Sequence, residues 1–294
     1  GTLFPYTTLF RSGLPTGWRP YAPTHLVLSD GRRRLYFWAR SRSEGVLRFL
    51  AADSDDGRRY ETLNANRPCF YHADDRAAAE AAAELRRIVS PWAAESCPST
   101  GEPSASPELV IGHSAYVYPL PDGSFEAYVR DLTPLGEDDP RSIAGDVDSR
   151  RFRSIHRLAS RDGLAWTDRR PVLAPDDQDP SDLQFLHLSV TKTERGRVGL
   201  LAAHRRQSHT TDIQWVFSHD GIEWRRPLRS AWISRGGPGD PDCYAIMPPH
   251  AMVERGGRWW LFYTGQNCSL DRTTSFGQPR SVVMLATTES LWED

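Results

Sequence analysis

The heptapeptide SRDGLAW, Ser160–Trp166, recurs with identical spacing as SHDGIEW, Ser218–Trp224, and in looser form as SDDGRRY, Ser54–Tyr60. Each reads as a turn. Serine and aspartate side chains can bond backbone N–H groups two residues on, and glycine takes a left-handed conformation without a steric cost. The aromatic three residues after each glycine is large enough to close the space between neighbouring sheets. Asp56, Asp162 and Asp220 are therefore assigned to scaffold rather than to chemistry. In a fourth place the pattern decays to Thr287-x-Glu289-Ser290 with Trp292.

Each turn closes a longer repeat: an apolar strand, a glycine turn, a second strand rich in aromatic or aliphatic residues, then a third strand leading into the turn. The copies run from His25 to Tyr60, Ser114 to Trp166, Leu188 to Trp224 and His250 to Trp292, with Gly31, Gly123, Gly196 and Gly257 at the same hairpin. A unit of three or four antiparallel strands recurring at about 60 residues cannot bury both faces alone, and radial stacking into a propeller solves that problem. The expected fold is all-β, one β-propeller domain over residues 13–294, with blades at about 25–70, 108–175, 183–230 and 245–293. Between the first two, ADDRAAAEAAAELRRIV (Ala73–Val89) has helical propensity and is stopped by Ser90-Pro91, which predicts a helical insertion over about 75–89. GEDDPRSIAGDVDS, Gly136–Ser149, is a polar loop inside the second blade.

Residues Thr2–Ser12, TLFPYTTLFRS, share nothing with these repeats. In one reading frame a widely used short-read sequencing adapter translates to the same eleven residues, and the segment lacks the basic start, long apolar run and small-residue cleavage site of a secretory signal. Residues 1–12 are read as an artefact of that adapter. The expectation is a gene cut near Gly13, with a first blade lost upstream.

Composition bounds the function classes. Thirty-six basic against thirty-eight acidic residues leave a formal charge of −2, which is no electrostatic footprint for nucleic acid. No run approaches the ~18 apolar residues of a membrane span. Of the basic residues only Lys192 is lysine, a bias of GC-rich codons that points to a bacterial genome and makes the many arginines weak evidence for anion binding. Cys69, Cys97, Cys243 and Cys268 form no C-x-x-C pair, which argues against a zinc ribbon. Two disulfides, Cys69 with Cys97 and Cys243 with Cys268, and free buried thiols both remain open. The compartment is equally open, with export to the periplasm or the extracellular space favoured.

Strand, glycine turn, strand and then S-x-D-G-x-x-W resembles the five-bladed propellers of glycoside hydrolase families 43 and 32 and their uncharacterised relatives, over nearly all of Leu14–Asp294. The sialidase Asp box differs by one further residue between Asp and Gly, so a six-bladed sialidase-like propeller is the alternative. The resemblance implies five blades, of which about four complete ones remain, and a substrate of oligo- or polysaccharide. No cofactor is required.

In a propeller the innermost strand of each blade lines the axis. The four inner-strand entries, PTHLVL, GHSAYVY, FLHLSV and PPHAMV, each hold a histidine: His25, His113, His187 and His250. Together they suit a shared polar site for sugar hydroxyls or an anion, with a central metal ion as a further option. Glycoside hydrolysis needs two carboxylates, one protonated to assist the leaving oxygen and one ionised as base or nucleophile. The positions that align with the catalytic acids of family 43 are Ala22 and Met247, and Arg130-Asp131 resembles the R-D-P motif of family 32 without its proline, so those roles are not carried over. Carboxylates that can still reach the axis from loops are Asp182 and Asp242, the preferred catalytic pair, then Glu108, with Asp240 beside them. Tyr21, Gln184 and Tyr244, together with Trp18, are candidates for substrate contacts. The expected function is a carbohydrate-active propeller of glycoside hydrolase type. A non-catalytic glycan-binding or scaffold propeller is the alternative.

Overall fold

The computed structural model describes residues 13–63, 68–72, 74–76, 110–135, 138–139, 141–142, 151–269 and 274–292. The elements of these residues are seventeen β-strands in three sheets. The first sheet holds β1 (Arg19–Val27), β2 (Arg33–Ser41), β3 (Val46–Ser54), β5 (Phe70–His72) and β6 (Val110–Ile111) in that order, with β4 (Glu61–Thr62) on β3. The second holds β7 (Ala115–Pro119), β8 (Phe125–Pro134), β9 (Arg151–Ser160) and β10 (Thr167–Leu173), side by side in chain order.

The third joins the last two repeats. It runs β11 (Leu183–Thr193), β12 (Gly196–Arg205), β13 (Thr210–Ser218), β14 (Ala245–Met247), β16 (Arg258–Gln266) and β15 (Val253–Arg255), with β17 (Ser281–Thr288) on the other edge of β16. A single parallel pair, Thr211 with Ala245, makes the junction. The chain divides into two compact units, Gly1–Ala127 with Arg157–Arg169 and Tyr128–His156 with Arg170–Asp294.

Burial follows the order of strands. The middle strands β2 and β12 are buried along almost their whole length, as sheets covered on both faces require, and read as near-continuous apolar runs. β17 alternates exposed and half-buried residues, the signature of a strand with one face to solvent. In the first unit Phe37, Leu50 and Tyr60 centre one core, and in the second Leu200, Ile213 and Ile246 centre another.

The repeated turn forms the same network three times. Ser54 Oγ donates to Asp56 Oδ1 (3.1 Å) and accepts from Gly57 N (2.8 Å), while Arg58 N and Arg59 N donate to Asp56 Oδ1 at 2.7 and 2.9 Å. The turns at Asp162 and Asp220 repeat each of these bonds within 0.1 Å of the same lengths. Backbone N–H donors hold the carboxylates of Asp56 and Asp220 down to about 2. At Asp162 burial opposes the same donors, and the carboxylate is still held below its usual value. In the fourth copy Thr288 replaces the expected Thr287, accepting from Ser290 N at 3.3 Å, and Ser290 Oγ in turn accepts from Trp292 N at 3.1 Å.

Two tyrosines tie successive repeats together. Tyr36, five residues after the hairpin Gly31, donates to Gly163 O at 2.9 Å, and Tyr128, five after Gly123, donates to Gly221 O at 2.9 Å. The glycines have φ of 74° and 80°. A Cβ on either would collide with the tyrosine hydroxyl it serves, so the glycine is needed for close approach as well as for conformation.

Cys243 and Cys268 are free buried thiols, so no bridge forms between them, and Cys69 is buried as well. Cys97, residues 77–89 of the expected helix and residues 2–12 lie outside the described residues. Among the described residues no helix is long and apolar enough to cross a membrane.

Candidate functional site

A bulge marks the entry of two strands expected to line the axis. β1 sets Tyr21 opposite Trp38 and Thr24 opposite Tyr36, leaving Ala22 and Pro23 opposite one residue, Phe37. β11 does the same with Phe185 opposite Ala203 and Leu188 opposite Leu201, so Leu186 and His187 bulge. Bulges re-aim side chains and gather at the rims of active sites. Ala22 sits at φ 48°, a left-handed conformation that costs a residue with a Cβ about 1–2 kcal/mol. The bulge also shows that the histidines are not equivalent: His187 lies within it, whereas His25 follows it by two residues.

In the first unit the bulge of β1 faces an aromatic cluster. The His72 and His113 rings stand 4.0 Å apart, Trp38 packs on both at about 6 Å, and Tyr21 lies 6.4 Å from His113. Trp38 Nε1 donates to His113 O at 2.8 Å. Asp74 N lies 3.1 Å and the Asp74 carboxylate 3.5 Å from His72 Nδ1. The Tyr21 hydroxyl is buried without a partner, and burial pushes it up to about 12 against the pull of Arg40. Of the predicted contacts, Tyr21 and His113 come together here. His25 is an exposed residue further along β1, lowered by partial burial and by Arg33. Trp18 pairs with Glu44 at 2.7 Å, and Glu108 lies outside the described residues.

In the second unit the start of β11 is buried and charged. Asp182 is 2% exposed, and its carboxylate accepts from Arg205 (Nε 2.7 Å, Nη2 2.6 Å) and from Gln207 N at 3.2 Å. Gln184 is 1% exposed and accepts from Arg153 at 2.7 Å. His156 lies 3.8 Å from Asp131, but burial lowers it to about 4, so it is neutral at pH 7 and the contact is no ion pair. His187 and His250 are on adjoining segments, because Ser189 Oγ donates to His250 O at 3.1 Å.

Arg205 also lines a cavity of about 170 Å³ with Asp179, Asp212, Gln214 and Arg229. Arg226 grips Asp179 with two bonds of 2.7 and 2.9 Å, and Arg229 does the same to Asp176 at 2.7 and 2.8 Å. Two members of the cavity wall, Asp179 and Arg229, are thus each ion-paired. Asp242, 5% exposed, has longer contacts, from Gly236 N at 3.2 Å and Tyr263 OH at 3.4 Å. Burial and then Asp242 raise the Tyr263 hydroxyl above its usual value. Asp240 folds back on its own loop through Gly237 N at 2.8 Å, and the Tyr244 ring lies 6.0 Å from Phe276. Among the described residues no group of three or more His, Cys, Asp or Glu side chains is placed to hold a metal ion.

Sequence reasoning passed over Arg153, Arg205, Arg226 and His72. A codon bias that makes arginine common hides the few that hold a buried partner. His72 is sequence-distant from His113, and only the pairing of β5 with β6 brings the two segments together.

No family model matches the sequence, and no curated protein matches it. Solved structures do match. An N-acetylgalactosamine deacetylase from F. plautii in complex with blood group B trisaccharide is 12% identical, with a TM-score of 0.55 over 93% of this chain and 73% of that one. An α-L-arabinanase of Penicillium chrysogenum complexed with arabinobiose is 12% identical, with a TM-score of 0.52 over 96% and 67%. The family 32 β-fructofuranosidase of Bombyx mori is 14% identical, with a TM-score of 0.50 over 90% and 46%, so the chain spans about half its length. The likeness is one of fold: the chain has the β-propeller fold of glycoside hydrolases of the family 43 and 32 type.

Proposed function

We propose that the chain is a carbohydrate-active propeller of glycoside hydrolase type, with oligo- or polysaccharide as its substrate. One observation carries this: Asp182 is buried and ion-paired to Arg205, which lines a polar cavity of about 170 Å³. Burying a carboxylate is costly unless it is paired and hydrogen-bonded, and the half-exposed Arg205 guanidinium together with Gln207 N supplies both. Fixed carboxylates, guanidinium groups and a glutamine amide suit the alternating donors and acceptors of a sugar ring.

In the proposed chemistry Asp182, held by Arg205, takes the ionised role of base or nucleophile. Asp242, with only two long hydrogen bonds, takes the role of the acid that protonates the leaving oxygen. Glu108 is the third candidate. His187 at the bulged entry of β11 contacts substrate hydroxyls, and Gln184 beside it positions Arg153. The scheme calls for no cofactor.

The test is release of reducing ends from a panel of neutral and acidic glycans by the wild type and by Asp182→Asn and Asp242→Asn. A loss of 100-fold or more in both variants supports the scheme, and unchanged rates in both refute the assignment. Ala22 favours the second function, a glycan-binding propeller without hydrolysis, because a strained bulge position presents a methyl group where the family resemblance implies an acid. Saturable glycan binding with no product release would select it.

A further inference from the structure

The tyrosine tie that joins successive repeats is missing at one place. Five residues after the third hairpin glycine, Gly196, β12 carries Leu201, which has no hydrogen to donate, and the last turn has Ser290 where its predecessors have glycine. That turn is held instead by the Thr288 and Ser290 hydroxyls and by Trp215 Nε1, which donates to Leu291 O at 2.9 Å, while the Glu289 side chain, 82% exposed, pairs with Arg258 at 3.0 Å. A groove of about 750 Å³ opens between the β11–β12 hairpin and this turn, within the second unit. Its size falls in the ~300–1,000 Å³ range of small-molecule sites.

We infer that this groove is a second carbohydrate site, separate from the cavity beside Asp182, that holds a segment of neutral glycan chain. Trp259 and Trp292 line it, both half-buried, and offer the flat apolar surface on which the C–H face of a sugar ring packs. Trp292 is fixed from behind by Trp215 and Phe217, each about 6 Å away edge-on. Glu194, Glu254 and Glu289 line the same groove with Lys192, supplying acceptors and a donor for ring hydroxyls. The guanidinium of Arg195 lies 4.8 Å over the Trp292 ring, so on that ring it stands where it can donate to a sugar hydroxyl, and Trp259 supplies the open packing surface. An open, exposed, mixed-charge groove with tryptophan walls suits a weakly held polymer better than a deeply bound cofactor. The inference rests on the carbohydrate reading above, but not on hydrolysis.

Fluorescence titration and calorimetry of the full chain with soluble xylan, arabinan, mannan and β-glucan oligosaccharides test it. Trp292→Ala and Glu254→Gln are compared with the wild type, and reducing-end release is read in parallel. The expected result is binding of at least one probe that weakens 10-fold or more in Trp292→Ala and several-fold in Glu254→Gln, whether or not the wild type hydrolyses the probe. Because Trp292 packs on Trp215, Glu254→Gln and Glu194→Gln, both at exposed positions, keep the test valid if Trp292→Ala fails to fold. Binding unchanged in all these variants, or no binding of any probe by the wild type, overturns the inference. Loss of binding without any hydrolysis by the wild type leaves it standing and removes the hydrolase reading instead.

Discussion

At the scale of single residues, the turn aspartates show how little chemistry a conspicuous motif can carry. Each spends one carboxylate oxygen on two backbone N–H groups and a serine hydroxyl, all within its own turn. The glycine beside it is as constrained as the acid. Gly163→Ala places a Cβ at φ 74° and against the Tyr36 hydroxyl, and should cost about 2–4 kcal/mol in denaturant unfolding. Combining it with Tyr36→Phe should cost less than the sum of the two, since both act on one contact. His156 makes a different prediction. Its folded value of about 4 lies below the 6.5 of the unfolded chain, so its contribution is complete above pH 6.5 and is lost as pH falls towards 4. The loss amounts to ~3 kcal/mol at most. His156→Gln should flatten unfolding free energy against pH in that window, and an unchanged slope would show that the ring is not buried. This turn chemistry was legible in the sequence because it is local: four bonds among six consecutive residues need no knowledge of the rest of the chain.

At the scale of elements, hairpins and their glycines were also legible, but the bulges were not. Whether Ala22 and Leu186 stand in line or step out of it depends on how β1 and β11 pair with neighbours, and alternation along one strand does not record that. The histidines at the four strand entries look equivalent by motif and differ by register for this reason. The strain at Ala22 gives a check: Ala22→Gly should raise stability by up to about 1 kcal/mol, because glycine takes φ 48° without the Cβ penalty. A fall in stability would mean that the Ala22 methyl makes contacts worth more than the strain. The tyrosine ties belong to this scale too. Tyr128→Phe removes a donor to the buried Gly221 carbonyl and should cost about 1–2 kcal/mol, measured as a shift in urea midpoint at constant slope. Sequence placed the tyrosines on strands but gave no sign that their hydroxyls reach into the next repeat.

At the scale of the whole molecule, the repeat made the propeller fold readable before any strand was located, while the chemistry is dispersed over segments far apart in the chain. Asp182 was singled out as a loop carboxylate, yet its setting comes from Arg205, twenty-three residues on and across a hairpin. The codon bias towards arginine removed the only sequence signal for that partner. In the proposed scheme this propeller cleaves glycosidic bonds with Asp182 and Asp242. The most direct measurement is reducing-end release by the full-length protein across a glycan panel, alongside Asp182→Asn and Asp242→Asn of unchanged thermal midpoint. Turnover of at least one glycan that falls 100-fold or more in both variants is the expected result. Turnover that survives in both variants, or a wild type that binds glycans and releases no product, would contradict it.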